Sequence, residues 1–418
     1  MTDGAAVLTG ADRVVREPGL IDGRCVGLAT NGTGVLADLG RNIDAFQAAG
    51  VPLRALFGPE HGLGGSAQAG FTESSPIDPA SGLPVFETYL ASGDELDAAL
   101  AASGIDTLVF DMQDIGVRFY TYIWTLFDLL RAAARTGCRV VVLDRPNPLG
   151  GTVAAGPGVR AGFESFVGRC SIPIRHGLTI GEAARYFANT VIPERDGLSV
   201  DLSVVRMIGW SRGCYFDDTG LPWVPPSPNM PTVGTALAFA GFALFEGTNV
   251  SEGRGTTTPF ETIGAPYIDR EFVPALRSLP LPGVAFRAVE YVPTFHKYAG
   301  RAISGAHVHV TDRDLFDPIA TALAVMGVLA ELYPREFTVL DPDVPSESGS
   351  AGYALDRLWG SSGLRDCIAG GGDPRTLLTG AVPDASWRGA DMLLYPWIIA
   401  DSGSRLPGCP AGGSARCR

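Results

Sequence analysis

The chain has 418 residues, more than one hydrophobic core usually serves, so two domains are expected. Its 45 acidic and 32 basic residues leave a formal net charge of −13, which argues against nucleic acid or a membrane surface as a partner. The 7 cysteines are scattered without a CxxC pair and the 5 histidines form no HExxH, so neither a zinc site nor a disulfide framework is indicated.

No basic stretch followed by an apolar run opens the chain, and no apolar run approaches the ~18 residues that a membrane helix needs. The expectation is a soluble, cytoplasmic protein. Residues 24–29 read as a strand, followed by the turn-rich Asn31-Gly32-Thr33-Gly34 and a helix over 36–49. Residues 53–57 form the next strand and end in Gly58-Pro59-Glu60-His61-Gly62. A short strand over 84–88 and a helix over 94–103 lead to strand 107–110. That strand opens into Asp111-Met112-Gln113-Asp114, Gly116, Arg118 and Tyr120-Thr121-Tyr122. A helix over 124–136 precedes strand 139–143, which ends in Asp144-Arg145-Pro146-Asn147-Pro148.

Strands alternating with helices predict an α/β fold with a largely parallel sheet. The polar clusters follow the strands: Asn31, then Glu60 and His61, then Asp111, Gln113 and Asp114, then Arg145 and Asn147. In a parallel sheet these ends share one edge, where ligands of open α/β sheets sit. Thr179 and Glu182 fit the capping box of a helix starting near Ile180, and His176 lies in a glycine-flanked loop. The proline-rich stretch 222–232, with Asn229, reads as a rigid crossing to a second, smaller α+β domain. The polar loop 245–260, with Asn249, Glu252 and Arg254, is expected to return to the cleft. Strands over 284–289 and 306–311 and helices over 318–332 and 354–358 follow. His307 and His309 share one strand face and read as packing or surface residues. The organisation expected is a domain over 1–230, a second over 231–401, and a low-complexity, disordered tail over 402–418.

Two chemistries compete for the sheet edge. Gly32-Thr33-Gly34-Val35-Leu36-Ala37 fits the G-x-G-x-x-A dinucleotide fingerprint, the basis for an NAD-dependent oxidoreductase. The fingerprint also wants an acidic residue ending the second strand, and Glu60, the only candidate, lies beyond Gly-Pro and beside a histidine, which makes the match weak. Hydrolysis at a sugar linkage fits better, because it uses paired carboxyls, one as proton donor and one as base or nucleophile. Asparagine, glutamine, arginine and tyrosine suit sugar hydroxyls, an N-acetyl group and a carboxylate.

The same residues carry a resemblance. Glu60-His61-Gly62, the run from Asp111 to Tyr122, Leu143–Pro148, Ser227-Pro228-Asn229-Met230-Pro231, Glu246–Thr256 and Pro259-Phe260 resemble the NamZ-type exo-β-N-acetylmuramidases. These enzymes cut N-acetylmuramic acid (MurNAc) from non-reducing ends of peptidoglycan fragments. The resemblance runs from about Gly27 to beyond Asp312. It implies a Rossmann-like first domain, a smaller second domain closing the cleft, no cofactor, and a muropeptide or MurNAc-containing saccharide as substrate. It implies Glu60 as the main catalytic carboxyl, with Asp114 and Asp111 as candidate partners and Glu252 behind them. Candidate substrate contacts are Asn31, His61, Gln113, Arg118, Tyr120, Tyr122, Arg145, Asn147, His176, Asn229, Asn249, Glu252 and Arg254. Among the arginines, Arg254 is favoured for the lactyl carboxylate of MurNAc, since a guanidinium meets a carboxylate with two parallel hydrogen bonds. Arg118 and Arg145 have braces to nearby aspartates as their alternative. Many relatives are exported, and a non-catalytic binder of cell-wall sugars would keep the same cleft.

Overall fold

The computed structural model describes residues 7–68, 75–91, 93–342, 352–378, 389 and 391–395. The expected tail over 402–418 lies outside them. The first half holds strands β1 (Val26–Thr30), β2 (Leu53–Gly58), β3 (Val85–Glu87), β4 (Thr107–Asp111), β5 (Arg139–Leu143) and β6 (Leu202–Val205). They form one sheet in the order β3-β2-β1-β4-β5-β6, and every pairing is parallel. This is the doubly wound order of Rossmann folds, with its switch point between β1 and β4. The helices of this half are α1 (Gly10–Arg16), α2 (Asn42–Ala48), α3 (Asp94–Ser103), α4 (Tyr122–Thr136), α5 (Ile180–Tyr186) and α6 (Ile192–Asp196). β1 and β4 are buried along their whole length, with apolar centres between two helical layers.

The second half holds helices α7 (Val233–Phe242), α8 (Phe272–Arg277), α9 (Pro318–Leu332), α10 (Ala354–Trp359) and α11 (Gly363–Ala369). Its strands β7 (Thr262–Ala265), β8 (Val284–Tyr291) and β9 (Ile303–Val310) form an antiparallel sheet in the order β7-β9-β8. α7 packs on α9, where Gly241 meets the backbone of Pro318 so closely that a Cβ would lie 1.9 Å from its carbonyl oxygen. The main apolar core runs through both halves, from Ala29 and Phe110 through Phe239 and Phe260 to Ile368, and smaller clusters lie on the other face of the parallel sheet and around Trp210.

Several local readings differ from the sequence expectation. α2 starts at Asn42 rather than near residue 36, because the chain first makes a turn in which Leu36 N donates to Gly40 O and Leu39 sits at φ 70°. β6 and α7 carried no periodic signal. β6 is four residues long, and α7 is buried from Thr235 through Phe242, so no polar stripe marks it. The capping box at Thr179 and Glu182 is present, with both reciprocal hydrogen bonds formed.

Candidate active site

A cavity of about 350 Å3 lies at the carboxyl edge of β2, against the N-terminus of α4, and is closed by the second half. Pro59–Gly62 form a tight turn after β2, with Gly62 N donating to Pro59 O at 3.0 Å. The turn projects Glu60 into the cavity at 7% exposure. Glu60 Oε2 accepts from Thr121 Oγ1 at 2.7 Å. Thr121 is the N-cap residue of α4, yet its hydroxyl makes no cap hydrogen bond. Threonine at that position normally satisfies the helix's own N–H groups; here it holds a carboxyl instead.

His61 adopts φ 71°, a left-handed conformation that costs a non-glycine residue of order 1–3 kcal/mol. Its Nδ1 lies 2.8 Å from Ala67 O. A carbonyl only accepts, so Nδ1 is the donor in this contact. Among the described residues, His61, Phe260 and His296 combine positive φ with a place on the cavity wall, and Leu90 and Tyr298 adjoin wall residues. Strain of this kind collects where surrounding structure enforces a site.

The wall is aromatic, with Tyr89, Phe119, Tyr120, Phe166, Phe239 and Phe260. Such walls with a few convergent polar groups characterise small-molecule sites. The proline-rich segment contributes Ser227, Asn229 and Met230 to the lining, and Asn229 donates to Gln68 at 3.3 Å. From the second half come Glu246, Arg254, His296, Lys297, Asp341 and Arg357. Arg254 Nη2 donates to Glu246 Oε1 at 2.8 Å, and its guanidinium lies 5.0 Å from the Phe260 ring centre. Behind it sits Glu252, fully buried, with Lys297 Nζ at 2.9 Å, His296 Nδ1 at 3.0 Å and Arg254 Nε at 3.5 Å. Burial by itself would raise the Glu252 carboxyl, but Lys297, His296 and Arg254 together hold it well below the usual carboxylate range.

Of the residues singled out from sequence, Glu60, His61, Tyr120, Asn229 and Arg254 line this cavity. The remainder do not. Asp111 receives two hydrogen bonds from Arg145, at 2.6 and 2.9 Å, and one from Asn42 at 2.7 Å. Arg145 therefore braces Asp111 and not its neighbour Asp144, which turns the other way to accept from Thr179, Gly181 and Tyr395. Asp114 accepts from Gly116 N at 2.7 Å and lies 3.4 Å from His176 Nε2, both side chains buried. Gln113 donates to the carbonyls of Asp114 and Pro146, and Asn147 to that of Leu178. Asn31 accepts from Thr33, and Tyr122 donates to Pro226 O. Arg118 is fully buried and donates to the carbonyls of Pro157, Ile172 and Leu358 rather than to an aspartate. Asn249 ties the loop at 245–260 to Glu336, Tyr267 and Thr338.

The switch point itself is filled. The Asn42–Asp111–Arg145 cluster spans the ends of β1, β4 and β5, and the cavity beside Thr33, Gln113 and Arg145 holds only about 20 Å3, room for about one water. A Cβ at Gly34 would lie 2.1 Å from Thr30 Oγ1, so this glycine serves the fold's own packing. A dinucleotide does not fit there: no helix begins at the glycine turn, and α2 starts only at Asn42 behind Arg41. Among the described residues no cluster of three His, Cys, Asp or Glu side chains is placed to hold a metal, and no helix is long and apolar enough to cross a membrane. His307 and His309 lie side by side on one face of β9 with ring centres 4.1 Å apart and ring planes tilted by 42°.

Residues 26–234 match the N-terminal domain of the exo-beta-N-acetylmuramidase NamZ family, and residues 237–386 match its C-terminal domain. The chain belongs to the NamZ family. It is 43% identical over 368 residues to the peptidoglycan beta-N-acetylmuramidase NamZ of Bacillus subtilis, covering 87% of this chain and 85% of that protein. Crystal structures of two DUF1343 family proteins from Bacteroides fragilis share the fold. One has TM-score 0.76 and 32% identity, covering 87% of this chain and 91% of its own. The other has TM-score 0.68 and 25% identity, covering 94% and 99%. Within this NamZ-family chain, several cavity residues carried no readable signal. Phe119, Phe166 and Phe239 read as core, and His296 and Lys297 reach the cavity only because β8 and β9 pair as a hairpin. Thr121 stood inside the run from Asp111 to Tyr122 with no role assigned to it.

Proposed function

We propose that this chain is an exo-acting glycoside hydrolase that releases N-acetylmuramic acid from the non-reducing ends of peptidoglycan fragments, with Glu60 as its main catalytic carboxyl. The observation that carries the reading is Glu60 itself: a carboxyl fixed by the Thr121 hydroxyl at the edge of a parallel sheet, inside an aromatic-walled cavity. Membership of a family with a peptidoglycan beta-N-acetylmuramidase supports the substrate class. Glu60 gives its proton to the glycosidic oxygen as the bond from that oxygen to the anomeric carbon breaks. The bonding electrons leave with the oxygen. Positive charge spreads over the anomeric carbon and ring oxygen, and water then supplies a hydroxyl to the carbon and a proton to a carboxylate.

The second carboxyl is drawn from the cavity wall. Glu246 and Asp341 share the wall with Glu60, whereas Asp111 and Asp114 lie off it. Glu246, which accepts from Arg254 at 2.8 Å, and Asp341 both come to the wall from the second half and are the candidate bases. The lactyl carboxylate is assigned to Arg254, whose guanidinium reaches the wall beside Phe260. The test is release of a chromogenic group from a β-N-acetylmuramide. Glu60→Gln should lose roughly 10²–10⁴-fold in rate with the fold intact. A folded Glu60→Gln variant that turns over like wild type removes Glu60 from the mechanism.

A further inference from the structure

Thr121 gives its backbone to α4 and its side chain to Glu60. Its carbonyl accepts from Trp124 N and Thr125 N at 3.0 and 2.9 Å, so the helix starts on it as on any N-cap residue. The first turn is pinned from both sides. Tyr122 donates to Pro226 O, and Trp124 Nε1 donates to Arg118 O at 2.6 Å. Tyr120 and Tyr122 are buried, while Thr121 between them is half-buried and lines the cavity. A β-branched side chain has few χ1 choices. The one proton of this hydroxyl has Glu60 Oε2 as its acceptor at 2.7 Å. The carboxyl that must release a proton therefore carries a fixed donor on one of its two oxygens.

A protonated carboxyl has one O–H donor and keeps its acceptor capacity chiefly on the other oxygen. We propose that Thr121 is a positioning residue for the hydrolysis: by donating to Oε2 it keeps the proton of Glu60 on Oε1, and it steadies the carboxylate that remains once that proton is given up. This rests on Glu60 being the proton donor, as read above. As the proton passes from Oε1 to the glycosidic oxygen, the O–H bonding electrons stay on Glu60. The electrons of the breaking glycosidic bond leave with the sugar oxygen. The Thr121 hydrogen bond then has a charged acceptor and becomes roughly twice as strong. An interaction that tightens as the reaction proceeds lowers the barrier without tightening substrate binding. Thr121 exchanges no proton with the substrate and acts only through Glu60.

Thr121→Val removes the hydroxyl and keeps the branched shape. Thr121→Ala removes both, and Thr121→Ser keeps the hydroxyl. kcat, KM and melting temperature are measured beside wild type and Glu60→Gln on two β-N-acetylmuramides. The dinitrophenyl compound has a leaving group that departs without a proton, and the methoxyphenyl compound needs one. Thr121→Val is expected to lose about tenfold more kcat/KM on the methoxyphenyl than on the dinitrophenyl muramide. The loss should fall on kcat and not KM, the melting temperature should stay close to wild type, and Thr121→Ser should regain most of the methoxyphenyl rate. Equal losses on the two substrates would show that the hydroxyl does not serve proton donation and would overturn the proposal. So would a methoxyphenyl rate within about twofold of wild type, or a serine variant no better than valine. If Thr121→Val does not fold, Thr121→Ala carries the same comparison. Misfolding, or a melting temperature several degrees lower, in both hydroxyl-free variants would make Thr121 a structural cap and overturn the proposal too. A wild type inactive on both muramides, or a folded Glu60→Gln unchanged on the methoxyphenyl compound, overturns the parent reading and this proposal with it. An active wild type and a crippled Glu60→Gln beside an unaffected Thr121→Val overturn this proposal alone.

Discussion

Lys297→Met should destabilise the protein by about 3–5 kcal/mol, the usual range for stripping one partner from a buried ion pair. The reasoning starts from Glu252, which is fully buried and receives Lys297 at 2.9 Å. Lys297 Nζ also donates to the carbonyls of Phe245 and Val250, at 2.8 and 3.0 Å, so all three of its protons are engaged. Methionine fills the stem's volume and supplies none of these. Two carbonyls lose a donor and a buried carboxylate loses its nearest cation. His296 and Arg254 remain beside Glu252, which keeps the loss from exceeding that range. The comparison is Arg270→Ala, which breaks a pair with Glu271 whose side chains are 93% and 64% exposed; such pairs are worth about 0–1 kcal/mol. Equilibrium urea unfolding at neutral pH measures both. The pH dependence has a definite sign. Glu252 is held below its ordinary value of 4.5, so its contribution is present above that pH and is lost as pH falls through the lower, folded value. Lys297→Met should therefore flatten the acid side of the stability curve. A loss under about 1 kcal/mol, or an unchanged acid side, would show that Glu252 does not depend on Lys297.

Asp144 gives the opposite slope. Burial pushes its carboxyl up from 3.8 to about 7, so the folded state holds the proton more tightly, and the contribution of Asp144 to stability is greatest below pH 3.8 and falls as pH rises to about 7. Asp144→Asn should remove that decline, as read from melting temperatures between pH 5 and 8, and a decline that persists assigns it to another group. Arg254→Lys keeps the charge but cannot serve Glu246 and a ligand carboxylate together. It should lower kcat/KM for a β-N-acetylmuramide about tenfold more than for the matching glucosaminide, and equal losses on both substrates would make Arg254 structural.

The parallel sheet was readable because β2, β4 and β5 are short apolar runs that end in polar clusters. The site was readable only where a polar residue had no other reason to be present, as with Glu60 and His61 in their tight turn. Asp111 and Arg145 carry the same side-chain chemistry but meet each other across neighbouring strands, and sequence does not report that register. Asp144 and Arg145 lie just past β5, and Asp144 is already engaged by Thr179, Gly181 and Tyr395, so Arg145 reaches across to Asp111 instead. The aromatic wall was invisible for a simpler reason. Phe119, Phe239 and Phe260 line the cavity and pack the core at once, with ring centres 5.3 and 4.6 Å apart along the row, and hydropathy records only the packing.

The continuous core has a consequence for recombination within the family. The two matched regions meet between residues 234 and 237, which invites a crossover there. Phe239, just beyond that seam, touches Phe119 and Tyr120 from the first region and Phe260 from the second. Arg118 likewise reaches from the first region to the backbone of Leu358. A chimera joined at the seam inherits this aromatic row from two parents whose ring sizes and tilts were never matched to each other. The workable exchange unit is the first region together with α7 and Phe260, a block drawn by contact and not by chain position.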